Sequence, residues 1–284
     1  MFLVTGATGQ HPGNVGRQVA KQLVEAGHPV RALVRDRPDE PRPSTARPPA
    51  GIGIVAGDLS KPSTLSPAFE GVEGIYLIAI SDDDVLDPDT ATRILARAKE
   101  AGVRRVVLLS ADGMPLVEVE EPLFASGLEW TVLRPGEFNA NTADYWARSI
   151  REEGVVRDAY LDVVGTPIHE ADIAAVAVAA LVGDGHAGAI YTLSGPEAIT
   201  RREQVRCIGA ALGRDIEIVD MTPDERRAAM RAEGWPDDIT DHLFGFFAEW
   251  AENPPRALPT VERVTGRPGR TFAEWCAEHV SIFR

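Results

Sequence analysis

Met1-Phe2-Leu3-Val4-Thr5-Gly6-Ala7-Thr8-Gly9 is the stretch whose reading decides the fold. An apolar run forms a short buried strand, and a glycine-rich turn follows at once. Beyond it Val15, Val19, Leu23 and Ala26 recur at helical spacing, with Asn14 placed to cap the helix and Gly27 where a helix ends. A glycine-rich turn between a first strand and a first helix lets the backbone approach a pyrophosphate. The helix N-terminus then offers it unpaired N–H groups and a partial positive charge. A glycine pattern alone is weak evidence, but here the strand and the capped helix flank it as the motif needs.

Working outward, short β-branched runs alternate with helical patterns: strands at Val30 to Val34, Ile52 to Ala56, Ile75 to Ile80, Val103 to Leu109 and Trp130 to Leu133. Helices are expected at about Thr90 to Ala101 and Leu116 to Ser126. Strands apolar throughout belong to a parallel sheet covered on both faces. The expected fold is therefore α/β, a doubly wound parallel-sheet Rossmann fold. Its core is residues 1–135, completed by about 161–195 with strands near 162–166 and 190–193. From Thr200 onward helices dominate and aromatics gather (Trp235, Phe244, Phe246, Phe247, Trp250, Phe272, Trp275). Residues 136–160 and 196–284 thus form a smaller, mostly helical, substrate-side region. Arg37 to Ala50, with five prolines, is a surface loop and not a helix.

Acids outnumber bases 43 to 29, giving a net charge of -14, a field that repels nucleic acid and anionic membranes. The two cysteines, Cys207 and Cys276, supply neither a disulfide framework nor a four-cysteine zinc site. The opening residues show no charged n-region, long apolar core or cleavage site, and Ile173 to Val182 is too short to span a bilayer, so a cytoplasmic protein is expected.

Thr5-Gly6-Ala7-Thr8-Gly9, Val15-Gly16-Arg17, Gly27-His28 and Arg31-Ala32-Leu33-Val34-Arg35-Asp36 resemble the atypical short-chain dehydrogenase/reductases of the NmrA-like group. Gly57-Asp58-Leu59, the run Ser126 to Gly136, Gly188 to Leu193 and Thr200-Arg201-Arg202-Glu203-Gln204 extend the resemblance over most of the chain. It implies NADP(H) as cofactor, favoured over NAD(H). An arginine at Arg35, ending the second strand, pairs in charge and fork geometry with a 2′-phosphate, although Asp36 stands next to it. The resemblance implies a cofactor-binding set of Thr5, Gly6, Thr8, Gly9, Gln10, Gly13, Val15, Gly16, Arg35, Asp58, Leu59, Ile80, Ser81, Ser110 and Pro135. Gln10 to Asn14 lengthens the glycine loop by about four residues relative to the group's spacing. Either Gly13 or Gly16 then takes the third glycine's place, with Gly16 favoured for helix–sheet packing. Asp58 otherwise caps a helix near Pro62.

The better-known short-chain dehydrogenases use a Tyr-x-x-x-Lys pair, in which lysine lowers the tyrosine pKa. None of Tyr76, Tyr145, Tyr160 and Tyr191 has that lysine, and no lysine follows Lys99. Two readings survive. One is an NADP(H)-dependent oxidoreductase passing hydride to a quinone or other conjugated small molecule, which demands orientation more than a strong acid. The other is a non-catalytic NAD(P)-binding redox sensor acting through a protein partner.

The substrate site is expected beyond the last strand of the core, at Glu137, Phe138, Asn139 and Tyr145, where ligands of doubly wound folds bind. Phe138, Tyr145 and Trp146 would form an aromatic wall, and Tyr145 and Asn139 are the candidate catalytic residues. Trp146 serves equally well as packing. No metal is expected. The acids Asp82, Asp83, Asp84, Asp87 and Asp89 precede a helix start, which dipole effects explain. His186, His242 and His279 show no metal spacing, and His169 reads as structural. A Ser110/His169/Asp172 hydrolase is disfavoured because Ser110 lacks the glycine-flanked elbow.

Overall fold

The computed structural model describes residues 1–8, 15–35, 50–81, 84–112 and 116–284. The expected turn residues Gly9, Gln10, Gly13 and Asn14 lie outside them, as do Asp36, most of the proline-rich loop, Asp82 and Asp83. Two compact units emerge. The first comprises Met1–Gly136, Glu170–Leu193 and Thr260–Arg267; the second comprises Glu137–His169, Ser194–Pro259 and Pro268–Arg284.

The first unit is built on strands β1 (Phe2–Val4), β2 (Val30–Val34), β3 (Gly53–Ala56) and β4 (Gly74–Ile78). A two-residue hairpin of β5 (Ile80–Ser81) and β6 (Asp84–Val85) follows, then β7 (Arg105–Leu109) and β8 (Glu129–Pro135). With β11 (Ala189–Leu193) the long strands make a seven-stranded parallel sheet in the order β11-β8-β7-β4-β1-β2-β3. Chain order reverses between β1 and β4, and that switch point is where a doubly wound sheet opens a crevice at its carboxyl edge.

Helices cover both faces. α3 (Pro88–Glu100) and α4 (Val117–Ala125) bury Ile94, Leu95, Ala98, Val119 and Leu123 in a core with Leu3, Leu33, Leu77, Val106, Leu108 and Val132. The start of α3 is fixed by Asp87, whose carboxylate accepts the Thr90 N–H at 2.9 Å, and by Pro88 in the first turn. On the other face α1 (Val15–Glu25) runs beside α6 (Glu170–Val182), and the Gln22 amide donates to the Ala171 carbonyl at 2.9 Å. α1 ends as its sequence suggests: Gly27 takes φ +82°, its N–H reaches Val24, and His28 N–H reaches Leu23.

Three expectations are corrected. β3 is not buried on both faces, since it is the sheet's edge and Ile54 is 58% exposed. The strand expected to reach Ile80 stops at Ile78, because Ile80 and Ser81 turn off into the β5–β6 hairpin. Residues 164–165 do not join the main sheet, since β10 (Val164–Gly165) pairs antiparallel with β12 (Ile199–Thr200) inside the second unit.

The second unit adds α5 (Asn141–Glu152), β9 (Val155–Asp158), α7 (Arg201–Leu212), β13 (Glu217–Asp220), α8 (Pro223–Ala232), α9 (Asp237–Glu252) and α11 (Phe272–His279). The short α10 (Thr260–Thr265) packs on α6 in the first unit. In the second unit β9 and β13 pair in parallel. Its core joins Trp146 and Ile150 of α5 to Val205 and Ile208 of α7 and to Phe272, Trp275 and Phe283. Among the described residues no helix is long and apolar enough to cross a membrane.

Candidate functional site

In the first unit the glycine-rich turn leaves β1 at the switch point. Thr5 continues the ladder with its side chain: its N–H donates to Tyr76 O at 3.0 Å, and its Oγ1 accepts the Ile78 N–H at 2.7 Å. The threonine thereby ties the turn to the end of β4. Gly6 follows at φ +70°, and a Cβ there would meet Ile78 Cδ1 at 2.6 Å. Gly16 is tighter: a Cβ would sit 2.6 Å from the Thr5 carbonyl oxygen and 2.9 Å from the Gly6 carbonyl carbon, both backbone atoms. Only glycine lets α1 lie this close to the turn, the role expected of the motif's last glycine. A glycine turn packed this tightly beside the N-terminus of α1 fits the backbone approach that a dinucleotide pyrophosphate needs.

Other members of the expected cofactor set fall around this edge. Thr8 is half-buried and Val15 buried, while Arg35 is exposed just past β2. Asp58 follows β3; its carboxylate accepts the Ser60 N–H at 2.9 Å and the Ser60 hydroxyl at 2.7 Å, with Lys61 Nζ at 3.6 Å. Partial burial raises its pKa, but the Ser60 bonds and the Lys61 charge more than offset this and hold the carboxyl below its ordinary value. It shapes the Asp58–Lys61 turn and does not cap the short helix at Pro62–Thr64. Pro135 is buried at the end of β8, its carbonyl accepting the Asp112 N–H.

Three more residues of the set have the following surroundings. Leu59 is buried in the first core. Ile80 is 47% exposed on the hairpin. Ser110 is buried with its hydroxyl engaged, donating to Glu120 Oε1 at 2.6 Å and accepting the Leu116 N–H at 3.0 Å. Glu120, itself buried, is forked by Arg134, whose Nε lies 3.2 Å from Oε1. The Ser110–Glu120–Arg134 chain therefore fixes the exit of β7 and the entry to α4. With Ser110 turned to Glu120 and His169 facing Glu278, the hydrolase grouping has no support.

In the second unit the expected substrate residues lie at the start of a buried polar cluster. The chain from Glu137 to Asn139 runs beside Ile168, with Ile168 N–H donating to Glu137 O and Asn139 N–H to Ile168 O. The Arg201 guanidinium sits at the cluster's centre. It donates to Asp158 Oδ2 at 2.7 Å, lies 3.8 Å from Glu137 Oε1, and stacks against Phe247 (4.1 Å), Trp146 (4.9 Å) and Tyr145 (5.3 Å). Trp146 Nε1 donates to the same Asp158 oxygen at 2.6 Å. Burial, helped by the Asp158 charge and opposed by Arg201, raises the Glu137 pKa. Burial and the neighbouring Glu137 also push the Tyr145 phenol well above its usual value.

The aromatic wall expected from Phe138, Tyr145 and Trp146 is corrected by this cluster. Trp146 is buried and Tyr145 is turned to Arg201, leaving Phe138 half-exposed. Asn139 is fully buried, so in this conformation it has no surface to offer a substrate. Its amide atoms, both Glu137 oxygens and both Gln204 amide atoms lack a hydrogen-bond partner among the described residues, a concentration of unmet polar capacity. The open aromatic surface lies elsewhere in this unit, in a groove of about 400 Å³ walled by Tyr160, Val163, Val164, Trp250, Asp162 and Asp220. Tyr160 holds φ 56°, the one positive value at a non-glycine among the described residues. Sequence reasoning missed Arg201, Asp158 and this groove. The resemblance marked the helix that Thr200 caps in the structure, but nothing local in sequence says that the next arginine points inward.

Residues 6–123 match a protein family described as NAD(P)H-binding. The whole chain is 39% identical to the (4-alkanoyl-5-oxo-2,5-dihydrofuran-3-yl)methyl phosphate reductase of Streptomyces griseus, covering 99% of that protein. It is 34% identical to the NAD(P)H azoreductase of Xenophilus azovorans, again over the whole chain and 99% of the relative. Among solved structures, the NADPH-dependent quinone oxidoreductase of Escherichia coli complexed with NADPH superposes with a TM-score of 0.78 at 27% identity, covering 98% of this chain and 99% of that one.

Proposed function

This chain belongs to the NAD(P)H-binding family of Rossmann-fold reductases, and from that premise we propose that it uses NADPH to reduce a flat conjugated acceptor, a quinone or an enone of the butenolide kind. When bound, the nucleotide supplies the hydride. The chain's own residues hold it: the Thr5–Gly6 turn and the N-terminus of α1 bind the pyrophosphate, and Arg35 pairs with the 2′-phosphate, favouring NADPH over NADH.

The observation that carries this reading is a dinucleotide cradle closed on Gly16 in a chain with no Tyr-x-x-x-Lys pair. Without that pair the acceptor must accommodate negative charge through its own conjugation. Butenolide, azo compound and quinone, named for the relatives and the neighbour, are all conjugated acceptors. In the second unit the groove walled by Tyr160 and Trp250 offers the acceptor an aromatic wall. The Tyr145 phenol, turned to Arg201 and kept protonated by burial, helps with Glu137 to position the 137–145 segment. Asn139, buried behind Phe138, positions this segment and does not touch substrate.

The test is anaerobic NADPH oxidation against quinones, acyl-butenolides, an azo dye and a saturated ketone, with NADH in parallel. Multiple turnovers with conjugated acceptors and none with the ketone are expected. Consumption never exceeding one equivalent per chain with any acceptor would overturn the proposal and favour the redox-sensor reading.

A further inference from the structure

Away from the nucleotide cradle and the Arg201 cluster, the second unit brings together three metal-ligating side chains from opposite ends of its sequence. His169 closes the segment that begins at Glu137; Glu278 and His279 end α11. One ligand atom from each lies within 4.8 Å of the other two. From this geometry we propose that His169, Glu278 and His279 bind one divalent transition-metal ion, with Zn²⁺ the best fit.

The spacing has the right size. His169 Nε2 and Glu278 Oε2 are 3.3 Å apart. Two atoms bound to one zinc at about 2.0–2.1 Å and a tetrahedral angle lie about 3.3 Å apart, so this pair already has the separation of co-ligands. The His279 ring is stacked on Trp275 with centroids 4.8 Å apart, and its Nδ1 lies 3.0 Å from the Trp275 carbonyl oxygen. A carbonyl only accepts, so Nδ1 carries the proton and Nε2 the lone pair. Metal-binding histidines use this arrangement: the second nitrogen donates to a carbonyl that fixes tautomer and ring orientation. The His169 and His279 rings stand 5.8 Å apart at 65°, so the third ligand lies beside the other two.

Two imidazoles and one carboxylate suit zinc better than calcium or magnesium, which prefer oxygen ligands. His169 is 1% exposed whereas the Glu278 side chain is 54% exposed, so the site has a buried floor and an open mouth through which an ion enters and water completes its coordination. The ion would clip the 137–169 segment to the C-terminal helix, linking ligands 109 residues apart in sequence. This inference is independent of the hydride-transfer proposal.

The test uses the full chain without a histidine tag, stripped with chelator and desalted, then titrated with Co²⁺ and separately with Zn²⁺. One equivalent of Co²⁺ should develop the intense visible bands of a four- or five-coordinate site, one equivalent of Zn²⁺ should bleach them, and Zn²⁺ should raise the thermal midpoint. Glu278→Gln and His279→Gln, both at accessible positions of the last turn, should each weaken binding about ten-fold or more. Glu249→Gln on α9 should leave it unchanged. No saturable one-equivalent Co²⁺ signal, or a signal equal in wild type and both ligand variants, would overturn the site and leave His169 and Glu278 as a hydrogen-bonded pair.

Discussion

Replacing Gly16 with alanine is the smallest change that tests the cradle. The new Cβ would lie 2.6 Å from the Thr5 oxygen, 2.9 Å from the Gly6 carbon and 3.0 Å from the Gly6 oxygen. To restore ordinary contact, near 3.4 Å, α1 and the turn must separate by about 0.8 Å, and neither side offers a flexible side chain to yield. Overpacking of this kind costs about 1–3 kcal/mol. Alanine's better helix propensity returns at most about 1 kcal/mol. With that return in full the net loss is about 0–2 kcal/mol, or a midpoint up to about 8 °C lower for a chain of this size. The displaced atoms belong to the turn proposed to hold the pyrophosphate, so NADPH affinity should fall about ten-fold or more, equivalent to about 1.4 kcal/mol. Gly27→Ala is the control: it meets nothing within 4 Å but carries φ +82°, so it should lose about 1–2 kcal/mol of stability with NADPH affinity unchanged. Thermal unfolding and fluorescence titration with NADPH read both quantities. A Gly16→Ala protein as stable as wild type and binding NADPH equally well would refute the reasoning.

Three other outcomes are expected. Arg35→Glu should weaken NADPH binding far more than NADH binding, and equal losses would remove the 2′-phosphate role. Glu137 in the unfolded chain titrates near 4.5, and its folded pKa is higher. The folded state therefore holds the proton more tightly, and the stability this contributes at low pH is lost as pH rises from about 4.5 through the folded value. Glu137→Gln lacks that slope, so its stability in urea should gain on wild type between about pH 4 and about pH 7; a constant difference would contradict burial of the carboxyl. Trp250→Ala should raise the acceptor KM about five- to ten-fold by removing an aromatic wall worth about 1 kcal/mol or more, with NADPH affinity unaltered. An unchanged KM would take the acceptor out of that groove.

The sheet was legible because its strands are short apolar runs between strong punctuation. Val30 to Val34 is read to the residue, and the helices around Ile94 and Leu123 to within two or three residues. The edge exposure of β3 was not legible, because an apolar run reports β-propensity and not how many strands will flank it. Gly16 was recoverable from the motif, whose spacing leaves room for only a few glycines. The Arg201 cluster was not: Glu137, singled out only as a substrate contact, meets Asp158 and Arg201 from two other segments, and nothing local in sequence joins the three. The same holds for His169 and Glu278, whose proximity exists only once α11 has packed. Tyr145 was singled out by residue type, but its neighbours show that it is kept protonated rather than activated.

The central claim is hydride transfer from the bound nucleotide to a conjugated acceptor, and the most direct measurement follows the label. NADPH deuterated at one face of the nicotinamide C4 is incubated with the chain and an acyl-butenolide, and the product is examined by mass spectrometry and NMR. From one of the two deuterated faces, the account predicts a single deuterium on the ring carbon that accepts hydride, with a rate slower than for the unlabelled cofactor. A reduced product free of label from both faces, or NADPH that remains unoxidised, would contradict it.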